Sequence, residues 1–198
     1  DGHFELDFEK FEKTIEENQV SMFILCSPHN PVCRVWTEEE LEKVLDICRR
    51  HGVLVLADEI HQDFTYGDHH FVSTAIVKGG EYKDNLVILN AGSKTFNLAG
   101  LQASTVVFPN AHMKQVFDQF WMNMDIHRNN AFSLTAMEAA FNHGEEWLEQ
   151  LLPYLSANFD FVADYCREHI PQIKTCAPDA TYLMWLDCRA LGLDNDAL

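Results

Sequence analysis

Three polar residues stand at or just beyond the ends of consecutive apolar runs. Asn30 follows the run at 21–26, Asp58 closes the run at 53–58, and Lys94 follows the run at 86–90. Each alone is ordinary, since an Asp at a strand end commonly caps a helix and most lysines are solvated. Together they suit one reaction type. A lysine amine can form a Schiff base with an aldehyde cofactor. A carboxylate can keep that cofactor's pyridine nitrogen protonated, so that the ring withdraws electrons. Three other readings of the same residues are weaker. Gly92-Ser93-Lys94-Thr95 has Ser93 and Ile88 where a phosphate loop needs glycines. Adjacent Ser93 and Lys94 on an extended segment point to opposite sides, against a Ser-Lys nucleophile pair. His61 could share a metal with Asp58 at i,i+3, yet no third ligand has matching spacing and His69-His70 lie in a loop-like stretch.

The elements that must position these residues are legible in the apolar pattern. Phe8, Phe11 and Ile15 mark one face of a charged helix. Thr37-Glu38-Glu39-Glu40 is a capping box. Leu41, Val44, Leu45 and Cys48 line the helix it opens, and Gly52 closes that helix. The runs at 21–26, 53–58, 86–90 and 103–108 are apolar on both faces, as strands of a parallel sheet are. Alternating strands and helices argue an α/β layered sheet, mostly parallel and flanked by helices, with binding sites beyond the carboxyl ends of the strands.

From 111 to about 169 the pattern is helical, with Pro153 as an interruption or a helix start, and one long stretch bridges to a second unit. That unit opens with strand-like segments at 173–175 and 181–187, the beginning of a smaller α+β domain. The predicted division is therefore 1–150 and 151–198. Phe117, Phe120 and Trp121 are spaced as helix core, and Tyr182 and Trp185 read as strand packing. Arg128 with Asn129 and Asn130 either faces the site rim or forms a solvated turn.

The composition of the 198 residues sets outer bounds. With 14 Lys+Arg against 31 Asp+Glu, the formal net charge is −17. That argues against general nucleic-acid binding, which needs clustered Lys and Arg, and against a basic membrane-surface protein. At 47% apolar and 12% aromatic residues the chain can bury a sizeable core. No apolar run reaches the ~18 residues of a spanning helix, and the start, Asp1-Gly2-His3-Phe4-Glu5, has no signal-peptide character. The six cysteines show no zinc spacing, and reduced thiols in a cytoplasmic protein are expected.

Wording adds what spacing lacks. Ser27-Pro28-His29-Asn30-Pro31-Val32-Cys33-Arg34-Val35-Trp36, Ala57-Asp58-Glu59-Ile60-His61 and Gly92-Ser93-Lys94-Thr95-Phe96-Asn97-Leu98-Ala99-Gly100-Leu101-Gln102 occur in that order. Together with His143-Gly144-Glu145-Glu146-Trp147-Leu148 and the stretch 180–187, they resemble the fold-type I pyridoxal-phosphate enzymes, the aminotransferase class I/II superfamily. Within it the chain is most similar to the cystathionine β-lyase-like C–S lyases.

The resemblance implies pyridoxal 5′-phosphate as cofactor and a role for each matching residue. Lys94 matches the lysine that holds the cofactor and moves the substrate's α-proton. Asp58 matches the carboxylate paired with the pyridine nitrogen. Asn30 matches the asparagine that hydrogen-bonds the phenolic oxygen, and Ser93 a phosphate ligand, with Ala91 where some relatives carry another. His61 stands where many aminotransferases have a tyrosine reaching the same phenolic oxygen, and a histidine there is similar to the C–S lyases. Gln102 replaces an arginine that binds phosphate in many aminotransferases, which again resembles the lyase subgroup. Cys33 occupies a position usually held by glycine, so a positive φ there would strain it.

Family members are longer, and the resemblance implies that 1–150 is the C-terminal part of the cofactor-binding large domain. Residues 151–198 would then be the connecting helix and the beginning of the small domain. It further implies a homodimer acting on a small amino-acid substrate by carbon–sulfur β-elimination. Transamination on the same residues is the alternative, and a non-catalytic protein keeping the fold is an alternative of another class.

Overall fold

The computed structural model describes residues 3–126, 128–194 and 196–197. The Asp1-Gly2 start and Leu198 lie outside them. Asp7 accepts the Lys10 N–H at 3.0 Å and opens α1 (Phe8–Asn18). The predicted capping box is present. Glu40 N–H donates to Thr37 Oγ1 at 3.2 Å and Thr37 N–H donates to Glu40 Oε2 at 2.9 Å, which starts α2 (Glu38–Arg50). β1 (Met22–Cys26), β2 (Leu54–Asp58), β3 (Leu86–Asn90) and β4 (Thr105–Val107) form one sheet in that order. β1, β2 and β3 run parallel and β4 runs antiparallel to β3. The mostly parallel sheet flanked by helices read from the sequence is therefore the observed fold.

The core lies on one face of that sheet. Leu25, Val55, Ala57 and Ile88 pack against Leu41, Val44, Leu45 and Cys48 of α2 and Ile15 of α1. Burial pushes the Cys48 thiol up to about 12, so it behaves as a small apolar side chain. The opposite face is more open than a doubly covered parallel strand predicts: Met22 and Ile24 are 50% and 65% exposed.

Other expectations need correction. The crossover from β2 to β3 holds only the 3₁₀ turns Val77–Gly80 and Lys83–Asn85, because Lys78, Gly79 and Gly80 turn left-handed there. The helical stretch is α3 (Ala111–Asn123), α4 (Ser133–His143) and α5 (Glu145–His169), and Pro153 lies inside α5 rather than interrupting or starting it. One missing N–H is tolerated within a helix of 25 residues. Phe117 stacks on Trp121 at 5.2 Å, yet Phe120 and Trp121 are exposed, so the apolar face of α3 is surface and not core. Arg128 is exposed and pairs with Asp125 at 3.5 Å, a solvated turn. β5 (Lys174–Thr175) and β6 (Leu186–Asp187) pair antiparallel, and the strand expected from 181 is reduced because Thr181 sits at φ +71°. Among the described residues no helix is long and apolar enough to cross a membrane, and the six cysteines are free.

The segment around Thr181 is stitched to the loop after β1. Asp179 and Ala180 N–H both donate to the Cys33 carbonyl at 3.0 Å. Thr181 N–H donates to Phe64 O at 3.1 Å, and Tyr66 Oη–H donates to Thr181 O at 2.8 Å. Buried Arg34 holds the same junction, donating to Glu40 at 2.9 Å and to Phe4 O at 2.6 Å, with Asp179 3.8 Å away.

Cys33 does adopt the left-handed backbone anticipated for it, at φ +63°. Its sulfur lies 3.1 Å from Pro31 O and 3.2 Å from Leu183 O, alternative acceptors for its single S–H, and accepts from Thr181 Oγ1 at 3.4 Å. Two effects thus oppose each other, strain against sulfur contacts, and a pair of substitutions separates them. Cys33→Ala keeps the strain and loses the thiol, whereas Cys33→Gly loses the thiol and relieves the strain. Cys33→Gly is expected to be the more stable of the two by about 1 kcal/mol, read from urea midpoints. Equal midpoints would show that the backbone there carries no strain.

Candidate active site

Strand register sets the rim. Cys26 of β1 lies beside Asp58 of β2, which lies beside Leu89 of β3, so the three carboxyl ends finish level. Ser27 N–H donates to Asp58 O and Glu59 N–H to Leu89 O, both at 2.9 Å, extending the ladder one step past the strands. Asp58 Oδ1 accepts the Ile60 N–H at 3.2 Å, the cap expected at a strand end, and this turns the chain so that His61 comes back under the rim. Beyond β3, a turn closed by Phe96 N–H to Gly92 O at 2.9 Å carries Ser93 and Lys94.

Burial and charge join these residues. His61 is 1% exposed and its Nδ1 is buried with no hydrogen-bond partner among the described residues. Such an atom costs free energy unless something fills the space beside it. Burial pushes the His61 imidazole below its ordinary value, the positive charge of Lys94 adds to that, and the Asp58 carboxylate opposes it. Asp58, His61 and Lys94 are thus one electrostatic group. Ser93 shares with Lys94 an open cleft of about 350 Å³ whose walls include Phe64, Trp147, Leu151 and Tyr182. Asn30 is on the same rim by way of β1, but it is exposed, and among the described residues its side chain makes no hydrogen bond to the other four.

Residues that the sequence did not single out complete the setting. Tyr182, expected in strand packing, instead lines the cleft, with its ring 5.4 Å from His61 and 5.6 Å from Phe64. Glu59 is fully buried behind Asp58 and takes the Thr74 N–H and Oγ1–H at 2.7 Å and the Ser73 Oγ–H at 2.8 Å. Desolvation still pushes its carboxyl up despite those three donors. Thr95 Oγ1 donates to Asp63 Oδ2 at 2.7 Å. The only sequence signal for these was their place beside a motif.

The depressed His61 has a pH consequence. Unfolded, it takes its proton near the ordinary value of about 6.5, and folded only at lower pH. As pH falls below about 6.5 the unfolded chain binds more protons, so stability that is complete above that value declines. His61→Gln is expected to flatten the fall in urea midpoint between pH 7 and pH 5. Identical slopes in both proteins would contradict the depressed value.

A mostly parallel sheet with a lysine turn, a strand-end carboxylate and a buried histidine on one rim is an α/β fold with its candidate site at the carboxyl edge. The family model for aminotransferase class I and II matches residues 1–198, and the chain belongs to that family. It is 39% identical to cystathionine beta-lyase PatB of Bacillus subtilis, over 100% of this chain and 51% of that protein. It is 35% identical to protein MalY of Escherichia coli, over 100% and 50% respectively. Among solved structures, the PLP-bound C-S lyase from Staphylococcus hominis matches with TM-score 0.89 and 31% identity, covering 98% of this chain and 49% of that one. Cystalysin from Treponema denticola, which contains pyridoxal 5′-phosphate, matches with TM-score 0.92 and 30% identity, covering 100% and 50%. The chain spans about half the length of the curated relatives it matches.

Proposed function

We propose that the whole protein is a pyridoxal-phosphate-dependent carbon–sulfur β-lyase. It would act on cystathionine or other cysteine S-conjugates and release thiol, ammonia and pyruvate. The observation that carries this reading is the parallel register that brings Asp58 and the lysine turn after β3 to one sheet edge, beside a buried His61 Nδ1 without a partner among the described residues. The residues fit the cofactor. The orphaned Nδ1 faces a need that a polar group of the cofactor would meet, and Asp58 uses Oδ1 on a backbone N–H, leaving its second oxygen to a protonated ring nitrogen.

When bound, pyridoxal phosphate supplies an electron sink for the bonding pair left at the substrate's α-carbon. The chain's residues do the rest. Lys94 would hold the cofactor through its amine, and the same amine, once free, would take the substrate's α-proton. Asp58 would pair with the ring nitrogen in its protonated form. Asn30 and His61 would orient the cofactor ring, and Ser93 would bind its phosphate. Trp147 and Tyr182 form walls of the cleft beside Lys94.

His61 and Gln102 favour elimination over transamination, as do relatives bearing the name cystathionine beta-lyase. In the same reading, 1–150 is the C-terminal part of the cofactor-binding domain, and 151–198 is the connecting helix with the start of the small domain. The exposed apolar face of α3 supports a homodimer, and the acidic charge of −17 suits a cytoplasmic protein free of nucleic acid and membrane. The test is to supply the whole protein with cystathionine and measure thiol and pyruvate, which are expected in equal amounts. Keto-acid-dependent amino transfer without thiol release would replace lyase by aminotransferase.

A further inference from the structure

We propose that Asp63 and Trp147 are positioning residues for Lys94 and act on it through Thr95. The proposal rests on the reading of Lys94 as the amine that moves the α-proton. Thr95 is fully buried and follows Lys94 directly. Its hydroxyl donates to Asp63 Oδ2 at 2.7 Å, and its carbonyl accepts the Trp147 Nε1–H at 3.1 Å. Neither contact is local, since the partners lie 32 and 52 residues away. Asp63 comes from the turn that carries His61, and Trp147 from the first turns of α5. The lysine turn is therefore held from the Asp58–His61 side and from the α5 side at once.

A third contact fixes the same turn. A Cβ on Gly144, where α4 meets α5, would lie 2.4 Å from Phe96 Cε1, and one on Gly92 would lie 3.2 Å from Phe96 Cδ2. The ring of Phe96 thus fits into the α4–α5 corner because position 144 carries no Cβ, lies close against Gly92, and meets Phe141 edge-on at 5.4 Å.

Such fixing has a chemical purpose. A lysine side chain has a flexible four-carbon stem, so the protein can define only the direction in which the stem leaves the backbone. The amine must serve two atoms in turn, the cofactor carbon and the substrate's α-proton. A misplacement of about 1 Å can cost ~100-fold in rate. The Thr95–Asp63 bond is charge-assisted and buried on the threonine side, which makes it stronger than a neutral contact.

The experiment uses the whole protein with Thr95→Val, Asp63→Asn and Trp147→Phe, and with Thr95→Ser as the conservative rescue. Tm is expected to fall modestly with the lost buried hydrogen bond, leaving each variant folded at the assay temperature, and the Kd for pyridoxal phosphate is expected to stay close to wild type. Both kcat and the rate at which the near-visible band forms on adding cofactor to apoprotein are expected to fall by about 10–100-fold at unchanged KM. Thr95→Ser is expected to restore most of each. Wild-type kcat and band formation in Thr95→Val and Asp63→Asn would overturn the proposal, as would losses that only track the folded fraction. A Lys94→Ala protein that keeps its band would instead overturn the reading of Lys94 itself.

Discussion

Lys94→Ala in the whole protein is expected to abolish the near-visible absorbance band and to lower thiol release by roughly 10³–10⁶-fold. The range is wide because the proposed function gives one amine two duties, holding the cofactor and moving the proton, and residues that act as a unit lose nearly everything together. Lys94→Arg is the sharper control. A guanidinium keeps the positive charge that acts on His61 but does not give up its proton in a protein, so charge alone is expected not to rescue. Size-exclusion and Tm measurements separate this loss from unfolding, since Lys94 lies in a cleft wall and not in the core. A band and turnover within tenfold of wild type in Lys94→Ala would place the chemistry elsewhere.

Asp58→Asn is the second large effect, a loss of kcat of roughly 10²–10³-fold, the scale set by removing one preorganised electrostatic partner. The substitution keeps the shape and can keep the Ile60 N–H contact, so little stability is expected to change. It also carries an independent readout. The Asp58 charge raises the pKa of His61 against burial and Lys94. Removing it should drive the imidazole further down, observable as an NMR titration moved to lower pH. An unmoved His61 titration would mean the two side chains are not coupled, and unchanged kcat would mean Asp58 is only the cap of its own turn.

The parts of the site legible in the sequence are those that local rules place. Thr37 and Glu40 three residues apart name a helix start whatever the rest of the chain does. Apolar runs of strand length name four strands, three of them parallel and the fourth antiparallel, and parallel strands bring whatever follows them to one edge, which is why Asp58 and Lys94 can be joined from sequence. Tyr182 was not legible, because it arrives beside His61 through backbone bonds joining segments more than a hundred residues apart. Nor was the left-handed Thr181, a β-branched residue in a conformation it normally avoids, which cuts the expected strand short. Phe120 and Trp121 have helix-core spacing and yet lie on the surface, since periodicity names a face without naming what covers it. Thr95 is the instructive intermediate. Its motif was conspicuous, but its partners Asp63 and Trp147 are set by tertiary contacts that no spacing encodes.

The meeting of Cys33 and Thr181 bears on how this sequence can change. Both hold left-handed backbone angles, and the hydroxyl of one donates to the sulfur of the other across 148 residues. A replacement at either site alters the cost of a replacement at the other, so their effects on stability should not add. Glycine at 33 frees its own backbone but strips Thr181 of the acceptor that helps to justify its conformation. The cost of changing position 33 is therefore set by what stands at 181, and the cost of changing 181 by what stands at 33.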